Sequence, residues 1–370
     1  MSSPQTGAQT ALAREVIDPA SLRRALAQPQ VEARGRRMDE LVRLNDLPAL
    51  TEELRRAIAD PQLTEVAREW LIDRALHGLA GGVPSAQARA LVEEVSLRQP
   101  RVYAIADPEH AREFATGALQ ASSAVPAIDP GATARFVLRQ WARADARGRA
   151  LDALRAGESW PLDSFGADAD ESRKAGILDA FATLSDAQLV NLRGPLLLAI
   201  GREPAIGEVA LLAGERLRDV DLMQAVIAHA QAPIALRGVQ RTRTVLDASA
   251  AFGVLSDATR RNEVASAAVL ELGHLASQEP RALAFLLGSF DRAALAPSAA
   301  AALAALKEPS VAVQIGESLR KTRSEPTRRM LALALQLDGG STARAELARF
   351  AASGAGTPQL RKEVREWLAH

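Results

Sequence analysis

No cysteine occurs in the 370 residues. A disulfide framework, a thiol nucleophile, an iron–sulfur cluster and a cysteine-ligated zinc site are thereby excluded. Aromatic residues are scarce, at 4%, with a single tyrosine. Lysine occurs only at Lys174, Lys307, Lys321 and Lys362, and none of these completes a Gly-x4-Gly-Lys phosphate loop. Neither charge is in excess, since 45 Lys+Arg balance 45 Asp+Glu. No overall field therefore draws the chain toward nucleic acid or anionic lipid. No segment reaches the roughly 18 uninterrupted apolar residues of a membrane span. The opening MSSPQTGAQTALAREVIDP has no basic start followed by an apolar stretch, because Arg14 and Glu15 interrupt it. As written it implies a cytoplasmic protein by default, or a periplasmic one if a leader has been trimmed. Residues 1–10, rich in Ser, Thr, Gln and Gly, are expected to be a disordered N-terminus.

What is present is helix-forming. The hydrophobic fraction is 48%, too high for a disordered chain. Ala, Leu, Arg and Glu dominate, all good helix formers. An acidic residue precedes proline at Pro19, Pro61, Pro108, Pro130, Pro204, Pro280, Pro309 and Pro326. A carboxylate followed by proline is a helix-start signature, since the acid accepts unsatisfied N–H groups and proline's φ is already helical. Further starts are expected at Asp46, Ser185 and Thr357. Leu63, Val66, Ala67, Trp70 and Leu71 fall at i, i+3, i+4, i+7 and i+8. Val264, Ala268, Leu272 and Leu275 form a second stripe, as an amphipathic helix requires.

The segment PQLTEVAREWL (Pro61–Leu71) recurs as PQLRKEVREWL (Pro358–Leu368), with 7 of 11 positions identical. Near the end, helix-starting prolines form two interleaved series: Pro280 and Pro309, then Pro297, Pro326 and Pro358. Their steps are 29, 29 and 32 residues. Periods of this size mark stacked helix pairs, each unable to bury both of its faces alone. EPTRRMLALALQL (Glu325–Leu337) and ADPQLTEVAREWL (Ala59–Leu71) resemble helices of HEAT-repeat and HEAT-like α-solenoids. The resemblance covers about 280–370 and 18–120, and fails around Ser159–Lys174. The expected fold is all-α: a right-handed α–α superhelix (solenoid) of stacked antiparallel helix pairs. N-terminal helical repeats are expected over 11–155 and a C-terminal solenoid over 171–370. A linker or long loop is expected over 156–170, and AVPAIDPGAT (Ala124–Thr133) is a second possible break.

The search for chemistry is mostly negative. The five histidines, His77, His110, His229, His274 and His370, include no i, i+4 pair for a helical zinc site. Asp168, Asp170 and Glu171 lack the ligand frame of a calcium loop and are expected to cap the next helix, as Asp219 and Asp221 are. Gly354 and Gly356 are expected to stop a helix. No catalytic residue, metal ligand or cofactor site is assigned.

The remaining candidates are basic. Arg135, Arg139, Arg143 and Arg147 recur at i, i+4, nearly in a row on one helix face. A second group is Arg320, Lys321 and Arg323, with Arg328 and Arg329 beside it; a third is Arg237, Arg241 and Arg243. Unless compensated, like charges at i, i+4 repel by a few tenths of a kcal/mol, roughly. Acidic neighbours, an acidic partner or phosphates are the alternatives. The expected function is a non-catalytic scaffold or adaptor binding a protein or peptide on an extended surface. The resemblance also admits a nucleic-acid-binding protein or a DNA glycosylase-like enzyme, which zero net charge disfavours. An accessory component of an envelope or secreted assembly is a further alternative.

Overall fold

The computed structural model describes residues 15–104, 125–158, 160–165 and 170–369. Among these residues are twenty α-helices and three short strands, so the protein is all-α in class. The chain divides into two compact units. The first comprises residues up to Arg149 together with Asp170–Gly176, and the second comprises Ala150–Ala169 and Ile177–His370.

In the first unit the helices are α1 (Pro19–Leu26), α2 (Pro29–Arg43), α3 (Leu47–Ala59), α4 (Glu65–Leu79) and α5 (Ala86–Ser96), followed by most of α6 (Pro130–Arg155). Helix α4 is buried on several sides, through Val66, Ala67, Leu71, Ile72, Ala75, Leu76 and Leu79, and packs on α1, α2 and α3. The core is completed by Leu50, Leu54, Val92, Val137 and Trp141. The Trp141 indole N–H donates to the Leu79 carbonyl at 3.0 Å, so the ring is buried without an orphaned donor.

Strands β1 (Glu15–Ile17), β2 (Val102–Ala104) and β3 (Val125–Ile128) form one sheet in that order. β1 and β2 are parallel and β2 and β3 antiparallel. Strands of three or four residues carry too little alternation to register in the sequence. Ala124–Thr133 thus contains β3 and the start of α6. Glu69 fixes the sheet to α4. Its buried carboxylate accepts from the backbone N–H of Arg101 at 2.8 Å and of Val102 at 3.3 Å. Burial pushes the Glu69 carboxyl up to about 7, and the adjacent Glu65 carboxylate adds to that rise.

The second unit continues with α7 (Trp160–Asp163), the second half of α8 (Glu171–Ala182), α9 (Asp186–Ile200), α10 (Gly207–Leu217) and α11 (Val220–His229). It proceeds through α12 (Ala232–Val245), α13 (Ala248–Ala258), α14 (Asn262–Leu275), α15 (Pro280–Gly288) and α16 (Ala296–Leu306). It ends in α17 (Pro309–Lys321), α18 (Glu325–Asp338), α19 (Ser341–Ala352) and α20 (Pro358–Ala369). Helices pack on the next but one in sequence: α10 on α12, α12 on α14, α14 on α16, α16 on α18 and α18 on α20. The other series pairs α9 with α11, α11 with α13, α13 with α15 and α17 with α19. Most also pack on their sequence neighbour. One apolar core runs from Ala150 to Val364. Helices α14 and α16 approach so closely that a Cβ on Gly273 would lie 2.8 Å from that of Ala302. The two proline series begin alternate helices: Pro280 and Pro309 start α15 and α17, and Pro297, Pro326 and Pro358 stand in the first turns of α16, α18 and α20.

Acid–proline pairs open helices at several sites. Asp18 accepts from Ala20 N at 2.8 Å and Ser21 N at 3.0 Å, Asp129 from Ala132 N at 2.8 Å and Glu279 from Arg281 N at 3.2 Å. Glu203 caps only a short 3-10 turn, Pro204–Ile206, before α10. Glu308 precedes α17 without a capping bond. Pro326 stands second in α18, which Ser324 caps. Asp46 and Ser185 cap α3 and α9, the latter with a complete capping box. Pro61 departs from the expectation. It lies in a turn, and α4 begins four residues later behind Thr64. The matching Pro358 is the first residue of α20. The sequence repeat therefore joins two different local structures. Pro108 lies outside the described residues.

The expected linker over 156–170 contains α7, and its Leu162 and Phe165 are buried in the second unit's core. Residues 1–10, His110, Asp168 and His370 lie outside the described residues. Among the described residues no helix is long and apolar enough to cross a membrane.

Candidate functional site

The second unit explains where most of its arginines go. Side chains reach from one helix to another roughly one helix pair away. Arg193 clasps Asp219 and Asp221, Arg216 reaches Asp186, and Arg237 reaches Glu208. Arg241 meets Glu215, Arg243 meets Glu271, Arg320 meets Glu346, and Arg329 meets Glu363. The sequence separations run from 26 residues for Arg193–Asp219 to 34 for Arg329–Glu363. Other cations hold carbonyls at helix ends, where the macrodipole is negative. Arg216 donates to Leu184 O at 2.7 Å, just past α8, and Lys307 to Leu337 O at 3.1 Å, in the last turn of α18; Arg361 instead holds the loop before α20, donating to Gly356 O at 2.7 Å.

One concavity of the second unit lies among α8, α10 and α12. It has a volume of about 720 Å³. Helix α8 contributes Leu178, Asp179 and Ala182, helix α10 contributes Glu208, Leu211, Leu212 and Glu215, and helix α12 contributes Arg237, Gln240 and Arg241. The spacing of the α10 residues, i, i+3, i+4 and i+7, places them on one face. Leu211 is buried, whereas Leu178 and Leu212 remain half-buried. The apolar floor is thus accessible. Arg237, Gln240 and Arg241 are exposed and form a polar, cationic wall one turn long. Arg241 donates through Nε to Glu215 Oε1 at 3.1 Å, and Arg237 through Nη2 to Glu208 Oε1.

The sequence singled out Arg237, Arg241 and Arg243 as a basic group. It did not match them to Glu208, Glu215 and Glu271, each on another helix. The floor leucines, Asp179 and Gln240 carry no sequence signal separating them from core or solvated positions.

The other basic candidates are dispersed. Arg135 donates to Ser96 O at 2.8 Å and so closes the end of α5. Arg139, Arg143 and Arg147 are exposed on α6. Burial along α6 changes face, from Ala134, Val137 and Trp141 to Ala146, Ala150 and Leu154, so the arginine row has no constant surroundings. Arg320 is engaged by buried Glu346 at 2.5 Å and Lys321 by Glu317 at 3.0 Å, while Arg323 is exposed between α17 and α18. Within the second unit the structure brings the α12 group together with its glutamates.

Asp170 caps α8 by accepting from Arg173 N at 3.0 Å, whereas Glu171, the first residue of α8, pairs with the Lys174 side chain at 3.0 Å. Asp219 accepts from Leu222 N at 2.9 Å to cap α11. His77, His229 and His274 are all exposed, on separate helices. Among the described residues no group of three or more His, Asp or Glu side chains is placed to hold a metal ion. Compared with known proteins, the chain matches no protein-family model, no curated protein and no solved structure.

Proposed function

We propose that the second unit is a HEAT-like α-solenoid of stacked helix pairs and that the protein is a non-catalytic scaffold, binding another protein in the groove over α10. Packing of each helix on the next but one supports the stacked arrangement, as do clasps recurring about one helix pair apart in sequence. The binding role rests on one observation: the groove of about 720 Å³ keeps an accessible leucine floor beside an exposed Arg237–Gln240–Arg241 wall. Rigid helices present such a surface with little ordering cost on association.

A photo-crosslinking amino acid at Gln240 tests the proposal in cells. One discrete protein adduct is expected there, and none with the same probe at Gln314, exposed on α17. Identical adducts at both positions, or none at Gln240, would contradict it.

A further inference from the structure

We propose that Glu69 is a pH-operated latch: its neutral carboxyl holds the three-stranded sheet against α4, and its ionisation lets β2 come away while the helices of the first unit stay packed. The latch is independent of the groove over α10.

The geometry carries it. Glu69 lies in the second turn of α4 and is 5% exposed. Its two carboxyl oxygens meet consecutive backbone N–H groups where the chain enters β2. Oε1 accepts from Arg101 N at 2.8 Å and Oε2 from Val102 N at 3.3 Å. β2 is the central strand, so a grip on it holds β1 and β3 as well. Among the described residues, the buried apolar hold between sheet and α4 is the small cluster of Ile17, Val66 and Val102. It is separate from the core built on α2 to α6. A segment with so few buried contacts opens at a lower free energy than the whole unit.

The surrounding charges set the direction. Glu65, one turn earlier on α4, is the like charge beside Glu69, and Arg101 is the opposite one. Arg101 directs its Nη1 to Glu65 at 3.2 Å, and Arg68 also pairs with Glu65, at 2.6 Å. On this side α1 presents Leu22, Ala25 and Leu26, and β3 presents Ala127. The titratable side chain of β2 is Tyr103. Asp39 of α2 is held by Arg74 of α4, and Asp60, after α3, by Arg34 of α2. Among the described residues no cation forms an ion pair with Glu69, whose partners are two neutral N–H groups. Burial accordingly pushes its carboxyl up to about 7. Above that pH the latch site encloses a charge that water would solvate better, and opening at β2 admits water to it.

Native-state amide hydrogen exchange of the full-length protein, read as protection factors at pH 5 and pH 8, tests the latch. Protection over residues 101–104 is expected to fall about tenfold or more, because the carboxyl titrates at about 7 in place and near 4.5 once exposed. At both pH values this protection is expected to lie below that of residues 71–79 of α4. It should also respond weakly to dilute urea, as local opening does, where that of 71–79 responds strongly. Glu69→Gln cannot titrate and is expected to lose the pH dependence. Should that variant not fold, Glu65→Gln removes the neighbouring like charge and is expected to move the midpoint of the fall to lower pH. An absent fall over 101–104, an equal fall in Glu69→Gln, a midpoint unmoved or raised in Glu65→Gln, or a urea response equal to that of 71–79 would overturn the proposal.

Discussion

Arg237 of α12 and Glu208 of α10, 29 residues apart in sequence, are joined across the groove floor by a single hydrogen bond. The same kind of link recurs along the second unit, from Arg193–Asp219 to Arg329–Glu363. These clasps and contacts to backbone carbonyls engage many of the second unit's arginines. Each exposed pair contributes little to stability, roughly 0–1 kcal/mol. Together they fix the register of neighbouring helices.

Glu69 gives the first unit a pH-dependent stability. Its folded-state carboxyl titrates at about 7, against 4.5 ordinarily, chiefly because it is buried. Between those values the folded chain holds a proton that the unfolded chain has released. The contribution is fully present below about 4.5 and is lost as pH rises through 7, by roughly 1–3 kcal/mol. Urea unfolding followed at pH 5 and pH 8 should show the decline, and Glu69→Gln should flatten it. An equal slope in the variant would assign the decline to another group.

Glu346 and Gly316 are coupled. The Glu346 carboxylate is fully buried between Arg320 and Arg349, and a Cβ on Gly316 would collide with it. Gly316→Ala alone should destabilise by about 1–3 kcal/mol, through overpacking. In the Glu346→Ala background the same change should stabilise, because alanine favours a helix over glycine by ~1 kcal/mol. A double-mutant cycle on denaturation midpoints measures the change of sign. Additive effects would refute the coupling.

Arg218 ends α10 in the left-handed region, at φ 51°. Its side chain is exposed. Arg218→Gly relieves the strain and should raise stability by about 0.5–1 kcal/mol. A lower thermal midpoint would show that the arginine has a stabilising role outweighing its backbone cost.

Much of the helical pattern is legible in the sequence because its signals are local. Asp18, Asp46, Ser185 and Glu279 cap the helices that follow them, and the two proline series start alternate helices. The Pro61 copy of the repeat misled because Asp60 ends α3 and accepts from Gln62 N at 2.9 Å. The start passed instead to Thr64. The sheet escaped notice because its strands are three or four residues long and their pairing joins distant segments. The groove is not legible for the same reason. Leu178, Leu212 and Arg241 are brought together only when α8, α10 and α12 pack, and each alone matches an ordinary core or surface residue.

The absence of cysteine makes the central claim directly measurable. Helices next but one in sequence must lie side by side, as Arg243 and Glu271 do with their charged atoms 3.3 Å apart. Arg243→Cys with Glu271→Cys, treated with a short bismaleimide, should form an intramolecular cross-link nearly quantitatively. Arg243→Cys with Glu317→Cys, which joins α12 to α17, should not. A missing link in the first pair, or equal linking in both, would contradict the stacked arrangement on which the groove and its proposed partner depend.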